Sequence, residues 1–323
     1  MIPVSNTVEK LLLAAPRGYC AGVDRAVQTV ERALEIHGAP VYVRKEIVHN
    51  KHVVDTLRGR GAIFVDEQTE VPEGAVCVFS AHGIAPSVRA GALARGLQTI
   101  DATCPLVTKV HREAVHFAEA GYTIVLVGHD GHEEVEGTMG EAPEQMVLVQ
   151  NEADVDALEV PDPARVAYVT QTTLAVDETA AIVARLRERF PQIVGPRTDD
   201  ICYATTNRQA AVKQMAGRCD LMLVIGSRNS SNSVRLVEVA RDCGTEAHLI
   251  DNAGEVQEQW LQGRRVVGIS SGASAPENLV EELVELFRAR GVQDVSEFDV
   301  VREDVRFMLP KQIREALAAA GAS

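Results

Sequence analysis

The sequence predicts an α/β fold built from three similar units with mostly parallel sheets. Two observations support this prediction. Short apolar runs rich in valine and isoleucine alternate with amphipathic stretches along nearly the whole chain, as in successive βα units. In addition, the chain resembles itself after a fixed shift, so one α/β arrangement is used more than once. Strands alternating with helices in this way form parallel sheets covered by helices.

Eight apolar runs are predicted to be strands, namely residues 11–15, 41–44, 76–79, 123–127, 166–170, 221–225, 247–250 and 265–269. Apolar residues at spacings of three and four predict a helix over 23–37, which Gly38 ends. A second helix is predicted over 105–120, because Pro105 suits a first helical position and Gly121 a stop.

The repeat becomes visible when residue 123 is placed on residue 221, a shift of 98 positions. TIVLVGHDGHEE then lies on LMLVIGSRNSSN, which pairs His132 with Ser230 and Glu134 with Asn232. The same shift pairs Cys104 with Cys202, Asp101 with Asp199, and Thr172-Thr173 with Ser270-Ser271. A looser third copy contains Cys20. We therefore expect units over 11–103, 104–198 and 199–290, each with one of these cysteines, and a C-terminal extension over 291–323 that packs back on the core.

Composition limits the possible functions. Lysine and arginine number 32 against 46 aspartates and glutamates, and the resulting net charge of −14 argues against nucleic-acid binding. No run approaches the roughly 18 apolar residues that span a bilayer, and no signal-peptide pattern begins the chain. We expect a cytoplasmic protein that contacts no membrane.

Three cysteines stand where helices are predicted to begin. Cys20, Cys104 and Cys202 each precede such a helix, whose free N–H groups and positive dipole end stabilise a thiolate. Three equivalent thiolates suit a 4Fe-4S cluster in which three irons are held by cysteine and the fourth is open. A three-thiolate zinc site stays open as an alternative, although zinc ligands usually come in close pairs. Cys77, Cys219 and Cys243 are expected to be small buried apolar residues.

Polar residues follow several predicted strands. Because parallel sheets bind ligands beyond the carboxyl ends of their strands, these residues are candidates for a multi-oxygen anion such as a diphosphate. Glu134 is the carboxylate that can store a proton, with Thr172 as a relay. Each residue taken alone also fits a turn or a cap. The candidates are His49, His82, His132, Glu134, Thr172, Ser230, Ser231, Asn232 and Ser274.

The motifs resemble those of the LytB-type 4-hydroxy-3-methylbut-2-enyl diphosphate reductase family, in order, over about residues 10 to 310. They are PRGYCAGVDRAV, EIVHN, SAHG, DATCP, GHDGHEEVEG, TQTTL, DDICYATTNRQ, GSRNSSN and GASAP. The resemblance implies three α/β units in a pseudo-threefold trefoil around a central 4Fe-4S cluster. It also implies reductive dehydroxylation of an allylic diphosphate to isopentenyl and dimethylallyl diphosphate, the last step of the methylerythritol phosphate route.

By this resemblance, Cys20, Cys104 and Cys202 hold the cluster, and Glu134 donates protons. The remaining candidates, His49, His82, His132, Thr172, Ser230, Ser231, Asn232 and Ser274, hold or orient the substrate. Electrons are expected from a reduced ferredoxin or flavodoxin. Since the net charge of −14 does not favour docking of such acidic partners, we expect a local basic patch near the cluster.

Three alternatives stay open at this point. A non-redox dehydratase also uses a three-cysteine cluster with an open iron as a Lewis acid. An iron–sulfur sensor or binding protein without turnover uses the same ligands. A zinc hydrolase centred on GHDGHEE is the third, although HDGHE matches neither the HExxH nor the HxxEH pattern.

Overall fold

The computed structural model describes residues 8–321 and contains three parallel sheets. The strands are β1 (Lys10–Ala15), β2 (Val41–Arg44), β3 (Ala62–Val65), β4 (Val76–Phe79), β5 (Gln98–Asp101), β6 (Thr123–Val127), β7 (Met146–Val149), β8 (Val166–Thr170), β9 (Leu221–Ile225), β10 (Ala247–Ile250), β11 (Val266–Ser271) and β12 (Asp294–Asp299). All the strand pairs described are parallel, so the predicted α/β class with three sheet-forming parts is confirmed.

Helices connect these strands in every part of the chain that the structure describes. They are α1 (Ala21–His37), α2 (Lys51–Gly59), α3 (Pro86–Ala94), α4 (Pro105–Glu119), α5 (Glu133–Met139), α6 (Glu152–Ala157), α7 (Val176–Arg189), α8 (Tyr203–Ala216), α9 (Ser231–Asp242), α10 (Glu258–Leu261), α11 (Glu277–Ala289) and α12 (Lys311–Gly321). Both predicted helix stops are confirmed, since Gly38 has φ 73° and Gly121 φ 76°. Over residues 8–321, every helix is too short or too polar to cross a membrane.

One compact unit comprises residues 8–20, 49–53 and 203–305. Its sheet has the order β10-β9-β11-β1-β12, and the inner strand β9 is buried on both faces. Leu221, Leu223 and Ile225 face a core closed by α11, whereas Met222 and Val224 face α8 and α9. The uninterrupted apolar run LMLVI follows from this double burial.

The other compact unit comprises residues 21–48, 54–202 and 306–321 and holds two sheets, β3-β2-β4-β5 and β7-β6-β8. In β6, Ile124 and Leu126 pack towards α4, and Val125 and Val127 pack towards α6 and α7. This strand therefore repeats the double burial of β9. Helix α12 packs against α1 within this unit.

Strand β1 belongs to a different sheet from the one that the sequence predicted. The proposed first unit, 11–103, includes this strand, whereas β1 pairs with β11 and β12 and joins the C-terminal sheet. The proposed extension contributes to the same sheet through β12. The unit boundaries at 103, 198 and 290 stay predictions.

The repeat holds, but its register changes along the unit. Strand β6 falls on β9 at the shift of 98, since Val127 and Ile225 end them. In the next strand, however, Thr170 pairs with Val127 as Ser271 pairs with Ile225, so the shift from residue 170 to residue 271 is 101. The expected match of Thr172-Thr173 with Ser270-Ser271 is therefore wrong, and their counterparts are residues 273 and 274. Helix α9 is five residues longer than α5, with 12 residues against 7, and the stretch from the end of the helix to Ser271 is two residues shorter than that to Thr170, so the net addition is three.

Candidate functional site

The three predicted ligand cysteines lie at the starts of helices, as expected. Cys104 is the N-cap of α4, and Cys20 and Cys202 directly precede α1 and α8. Their backbone N–H groups donate to carbonyl oxygens two residues past a strand end: Cys20 to Ala273 (3.2 Å), Cys104 to Ala81 (2.9 Å) and Cys202 to Thr172 (3.0 Å). Each cysteine is thus held by the loop after β11, β4 or β8, respectively. One backbone arrangement recurs three times and presents a thiol at each helix entrance.

The remaining cysteines differ in their surroundings. Burial raises the pKa of the Cys77 thiol to about 11 and that of the partly buried Cys219 to about 12, so both stay protonated and unreactive. Cys243 is exposed at the C-terminal cap of α9, and the expectation that it is buried is wrong. The three helix-entrance cysteines are half-buried, and none is in a disulfide.

Glu134 and Thr172 form a buried acid–hydroxyl pair. Glu134, only 2% exposed, is the second residue of α5, which His132 caps by accepting the Glu134 N–H at Nδ1 (3.1 Å). The carboxylate accepts two hydrogen bonds from Thr172, from the backbone N–H at 2.6 Å and from the hydroxyl at 3.0 Å. Because the Thr172 carbonyl accepts the Cys202 N–H, a single residue links the carboxylate to a cysteine.

Asn232 occupies the equivalent position in the other compact unit. It is the second residue of α9, which Ser230 caps, and it is 5% exposed. Its Oδ1 accepts the Ala273 N–H at 2.9 Å, as Glu134 accepts that of Thr172. The predicted pairing of Glu134 with Asn232 is therefore confirmed, and the two positions differ in chemistry only.

Two histidines adjoin the acid–hydroxyl pair within the same unit. His82 and His132 meet edge to face with ring centroids 5.9 Å apart. His82 Nδ1 lies 3.1 Å from Oε2 of Glu133, which was not among the predicted site residues. This hydrogen bond orients the His82 ring. The sequence does show Glu133 beside Glu134 in GHDGHEE, but it does not show that Glu133 contacts the ring of His82.

The other candidates lie together around the start of α9. The Ser274 hydroxyl donates to the His49 carbonyl oxygen at 2.9 Å and lies 3.5 Å from the Ser230 hydroxyl. Ser231 is the first residue of α9. The amide of Asn232 donates to the hydroxyl of Thr205 at 3.1 Å, and Thr205 was not among the predicted site residues. Thr205 stands three residues after Cys202, so the ATT segment of DDICYATTNRQ was the signal.

The candidates therefore form two groups that suit different chemistry. His49, Ser230, Ser231, Asn232 and Ser274 offer imidazole, hydroxyl and amide groups, which bind the oxygens of an anion without adding negative charge. The second group, His82, His132, Glu134 and Thr172, joins a buried carboxylate to a hydroxyl and two imidazoles, the groups that store and move protons.

Comparison with known proteins places this arrangement in a family. A family model described as LytB protein matches residues 11–288. The 4-hydroxy-3-methylbut-2-enyl diphosphate reductase of Nocardia farcinica is 60% identical over 311 residues, covering 96% of this chain and 93% of the relative. The enzyme of that name from Cutibacterium acnes is 60% identical over 310 residues, covering 96% of both.

Solved structures agree with the sequence matches. The E-1-hydroxy-2-methyl-but-2-enyl-4-diphosphate reductase from Plasmodium falciparum is 39% identical, with a TM-score of 0.94 over 97% of this chain and 99% of that chain. A second solved structure, titled (E)-4-hydroxy-3-methyl-but-2-enyl diphosphate reductase, is 32% identical, with a TM-score of 0.63 over 87% of this chain. Because the family model and these relatives cover nearly the same residues, the chain belongs to the LytB protein family.

Proposed function

We propose that the chain reduces (E)-4-hydroxy-3-methylbut-2-enyl diphosphate to isopentenyl diphosphate and dimethylallyl diphosphate. The carbon–oxygen bond of the alcohol breaks, and two electrons enter the allylic skeleton. One proton joins the departing hydroxyl to form water, and a second proton ends on carbon. The relatives carry the name of this reductase, and one solved relative is described as the terminal enzyme of the non-mevalonate pathway.

The link from Glu134 through Thr172 to Cys202 is the observation that carries the proposal. A reductive dehydroxylation needs protons delivered where the electrons arrive, and here a buried carboxylate is hydrogen-bonded to the residue that holds a ligand cysteine. The Thr172 hydroxyl donates to Glu134 and has lone pairs of its own, so it can pass a proton from the carboxyl group to the substrate oxygen.

Membership of the LytB family implies an iron–sulfur cluster. We assign it as a 4Fe-4S cluster with Cys20, Cys104 and Cys202 as its three protein ligands and one open iron. The residues present fit such a group, because all three are half-buried thiols outside any disulfide and lie at helix entrances, where thiolates are stabilised. When bound, the cluster supplies the electrons and the Lewis acidity.

The protein side chains bind and orient the substrate. Ser230, Ser231, Asn232, Ser274 and His49 are assigned to the diphosphate, because they offer hydrogen bonds without negative charge. The side chains assigned to the alcohol end and its protons are His82, His132, Thr172 and Glu134. Positioning these donors in a preformed arrangement lowers the cost of reorganisation during the reaction.

We further propose a cytoplasmic enzyme that receives single electrons from a reduced ferredoxin or flavodoxin. The reaction consumes two electrons, so the donor must dock twice in each turnover or two donor molecules must dock in succession.

Anaerobic purification with iron and sulfide analysis tests the proposal. A 4Fe-4S cluster requires about four irons per chain, and a chemical reductant should then support turnover of the hydroxylated diphosphate. We expect Cys104→Ala to lose cluster and turnover, whereas Cys243→Ala, at an exposed cysteine, should keep both. A Cys104→Ala protein with full cluster and activity would refute the ligand assignment, and turnover without a reductant would favour a dehydratase.

A further inference from the structure

Each of the three proposed ligand cysteines follows a chain segment whose backbone carbonyl oxygens accept hydrogen bonds from a basic side chain of a helix. The three side chains are Arg25 of α1, Lys109 of α4 and Arg208 of α8. They stand five residues after Cys20, five after Cys104 and six after Cys202, respectively. None of the three was assigned a role from the sequence, although each lies inside a cysteine motif.

Arg25 binds the segment that leads into Cys104. Its Nη1 donates to the carbonyl oxygens of Ala102 (2.9 Å) and Thr103 (3.0 Å), and its Nε donates to that of Met308 (2.8 Å). Burial lowers the pKa of Arg25. The guanidinium group is hydrogen-bonded to the two residues that directly precede Cys104.

Lys109 does the same for the segment that leads into Cys202. Its Nζ donates to the carbonyl oxygens of Thr198 (2.5 Å) and Asp199 (3.1 Å) and to the carboxylate of Asp200 (2.8 Å). The Asp200 side chain is fully buried and also accepts the Thr170 N–H at 2.8 Å. The segment before Cys202 is therefore hydrogen-bonded both to α4 and to the end of β8.

Arg208 completes the series at the segment that leads into Cys20. It is fully buried, and its Nη2 donates to the Gly18 carbonyl oxygen at 2.8 Å. Its Nη1 donates to Oε1 of Glu303 at 3.0 Å. Burying an arginine is costly without compensating hydrogen bonds and charge, so a buried cation at this point calls for a specific role.

The three contacts form a closed cycle. The helix that starts at Cys20 holds the segment before Cys104, the helix that starts at Cys104 holds the segment before Cys202, and the helix that starts at Cys202 holds the segment before Cys20. A general need to satisfy loop carbonyls would not place a cation at nearly the same offset from all three cysteines. Because the contact recurs before each cysteine, we infer that its purpose is to position the cysteines.

We propose that Arg25, Lys109 and Arg208 are positioning residues that fix the cysteine-bearing segments for the cluster and offset its negative charge. This inference rests on the proposed function, because it assumes that the three cysteines bind an iron–sulfur cluster. Groups that orient metal ligands and the charge around a cluster set its stability and reduction potential. A change in the position of the segment before one cysteine should also move the segment before the next, because the helix that starts at the first cysteine holds the second segment.

The test compares cluster properties of Arg25→Gln, Arg25→Lys and the control Arg32→Gln, all on α1. Arg32 is an exposed residue paired with Glu35. The readouts are the rate of cluster loss to an iron chelator and the midpoint reduction potential under anaerobic conditions. We expect Arg25→Gln to lose its cluster about 10- to 100-fold faster, as for other residues that support metal ligands. Its potential should also fall, because a cation that favours the reduced cluster is gone.

Arg25→Lys separates charge from geometry. The lysine keeps the positive charge but cannot bind two carbonyl oxygens with a rigid fork. We expect it to restore the potential more fully than the cluster lifetime, a split that a merely structural role would not produce. Arg32→Gln should match the wild type in both readouts.

Two results would overturn the inference. One is an Arg25→Gln protein with wild-type cluster lifetime and potential; the other is an Arg25→Lys protein that loses both as fully as Arg25→Gln. If Arg25→Gln does not fold by circular dichroism, the pair Lys109→Gln and Lys109→Arg decides by the same criteria. A wild-type chain that takes up no cluster would instead refute the proposed function, so the two failures are distinguishable.

Discussion

Glu134 and Asn232 show how a repeated backbone can serve two kinds of chemistry. Both are buried second residues of a helix, and both accept the backbone N–H two residues beyond a strand. An amide meets this structural need at little cost, as Asn232 shows. Burying a carboxylate costs more, so a glutamate at the sister position indicates a use for its ability to bind a proton.

Glu134→Gln should therefore lower turnover while keeping the fold. The glutamine carbonyl oxygen can still accept the Thr172 N–H, and its amide can donate to the Thr172 hydroxyl, so the local geometry survives. General acid catalysis contributes about 10²- to 10⁴-fold, and kcat should fall within that range. The measurement is steady-state turnover with a chemical reductant, together with iron content and substrate binding.

Glu136→Gln is the matched control, since Glu136 is an exposed residue of the same helix. Its kcat should equal that of the wild type. A near-normal kcat for Glu134→Gln would remove Glu134 as the proton donor and leave it with the structural role of Asn232.

At the scale of whole elements, the sequence predicted every inner strand but only two of the six edge strands, β8 and β10. Strands β3, β5, β7 and β12 were not predicted, and each lies at the edge of its sheet with partly exposed residues. An edge strand such as QTID has little apolar signal, whereas LMLVI, covered on both faces, is unmistakable. The partner of β1 was beyond prediction for another reason, because pairing across the length of the chain leaves no local pattern.

The pairing of residues between the two repeats was confirmed where the repeat preserved an offset. His132 and Ser230 both cap a helix, and Glu134 and Asn232 follow them, because β6 and β9 keep the shift of 98 into the helices. The longer α9 then changed the register, which shifted the counterparts of Thr172 and Thr173. Contacts such as Glu133 to His82 depend on side-chain direction, and the sequence carries no direct signal for them.

Helix α5 carries Glu134 and packs closely, at Gly137, against the backbone of Gly83. A Cβ at Gly137 would lie 3.2 Å from the carbonyl carbon of Gly83 and 3.3 Å from its oxygen, and backbone cannot yield as a side chain can. Alanine gains about 0.5–1 kcal/mol over glycine within a helix, but overpacking costs about 1–3 kcal/mol. We expect Gly137→Ala to lower the free energy of unfolding and to reduce kcat by moving Glu134.

Thermal unfolding and turnover of Gly137→Ala, set against Gly217→Ala, measure this effect. A Cβ at Gly217 meets no atom within 4 Å, so that substitution should leave both quantities near the wild-type values. If Gly137→Ala is as stable and active as Gly217→Ala, close packing of α5 on the loop after β4 does not matter for the site.

At the scale of the whole molecule, the net charge of the chain should affect how the proposed ferredoxin or flavodoxin donor approaches. The net charge of −14 repels acidic proteins such as ferredoxins at long range. Productive docking then requires a local positive region, and Arg112 of α4 is a candidate because it is exposed. It stands eight residues after Cys104, a distance of about 12 Å along the helix. It is also four residues after Thr108, whose hydroxyl donates to the Cys104 carbonyl oxygen, so the two side chains share one face of the helix.

Donor-dependent turnover should therefore fall as ionic strength rises, and Arg112→Glu should lower it at low salt. Screening weakens attraction between exposed charges beyond about 8 Å at physiological salt, so the difference between the two proteins should shrink as salt increases. Arg288→Glu, at an exposed arginine of α11, is the control for the change in net charge. Turnover with a small chemical reductant should be the same in all three proteins, because no docking is involved. Equal losses in Arg112→Glu and Arg288→Glu would show that net charge alone controls the donor reaction and that Arg112 belongs to no docking patch.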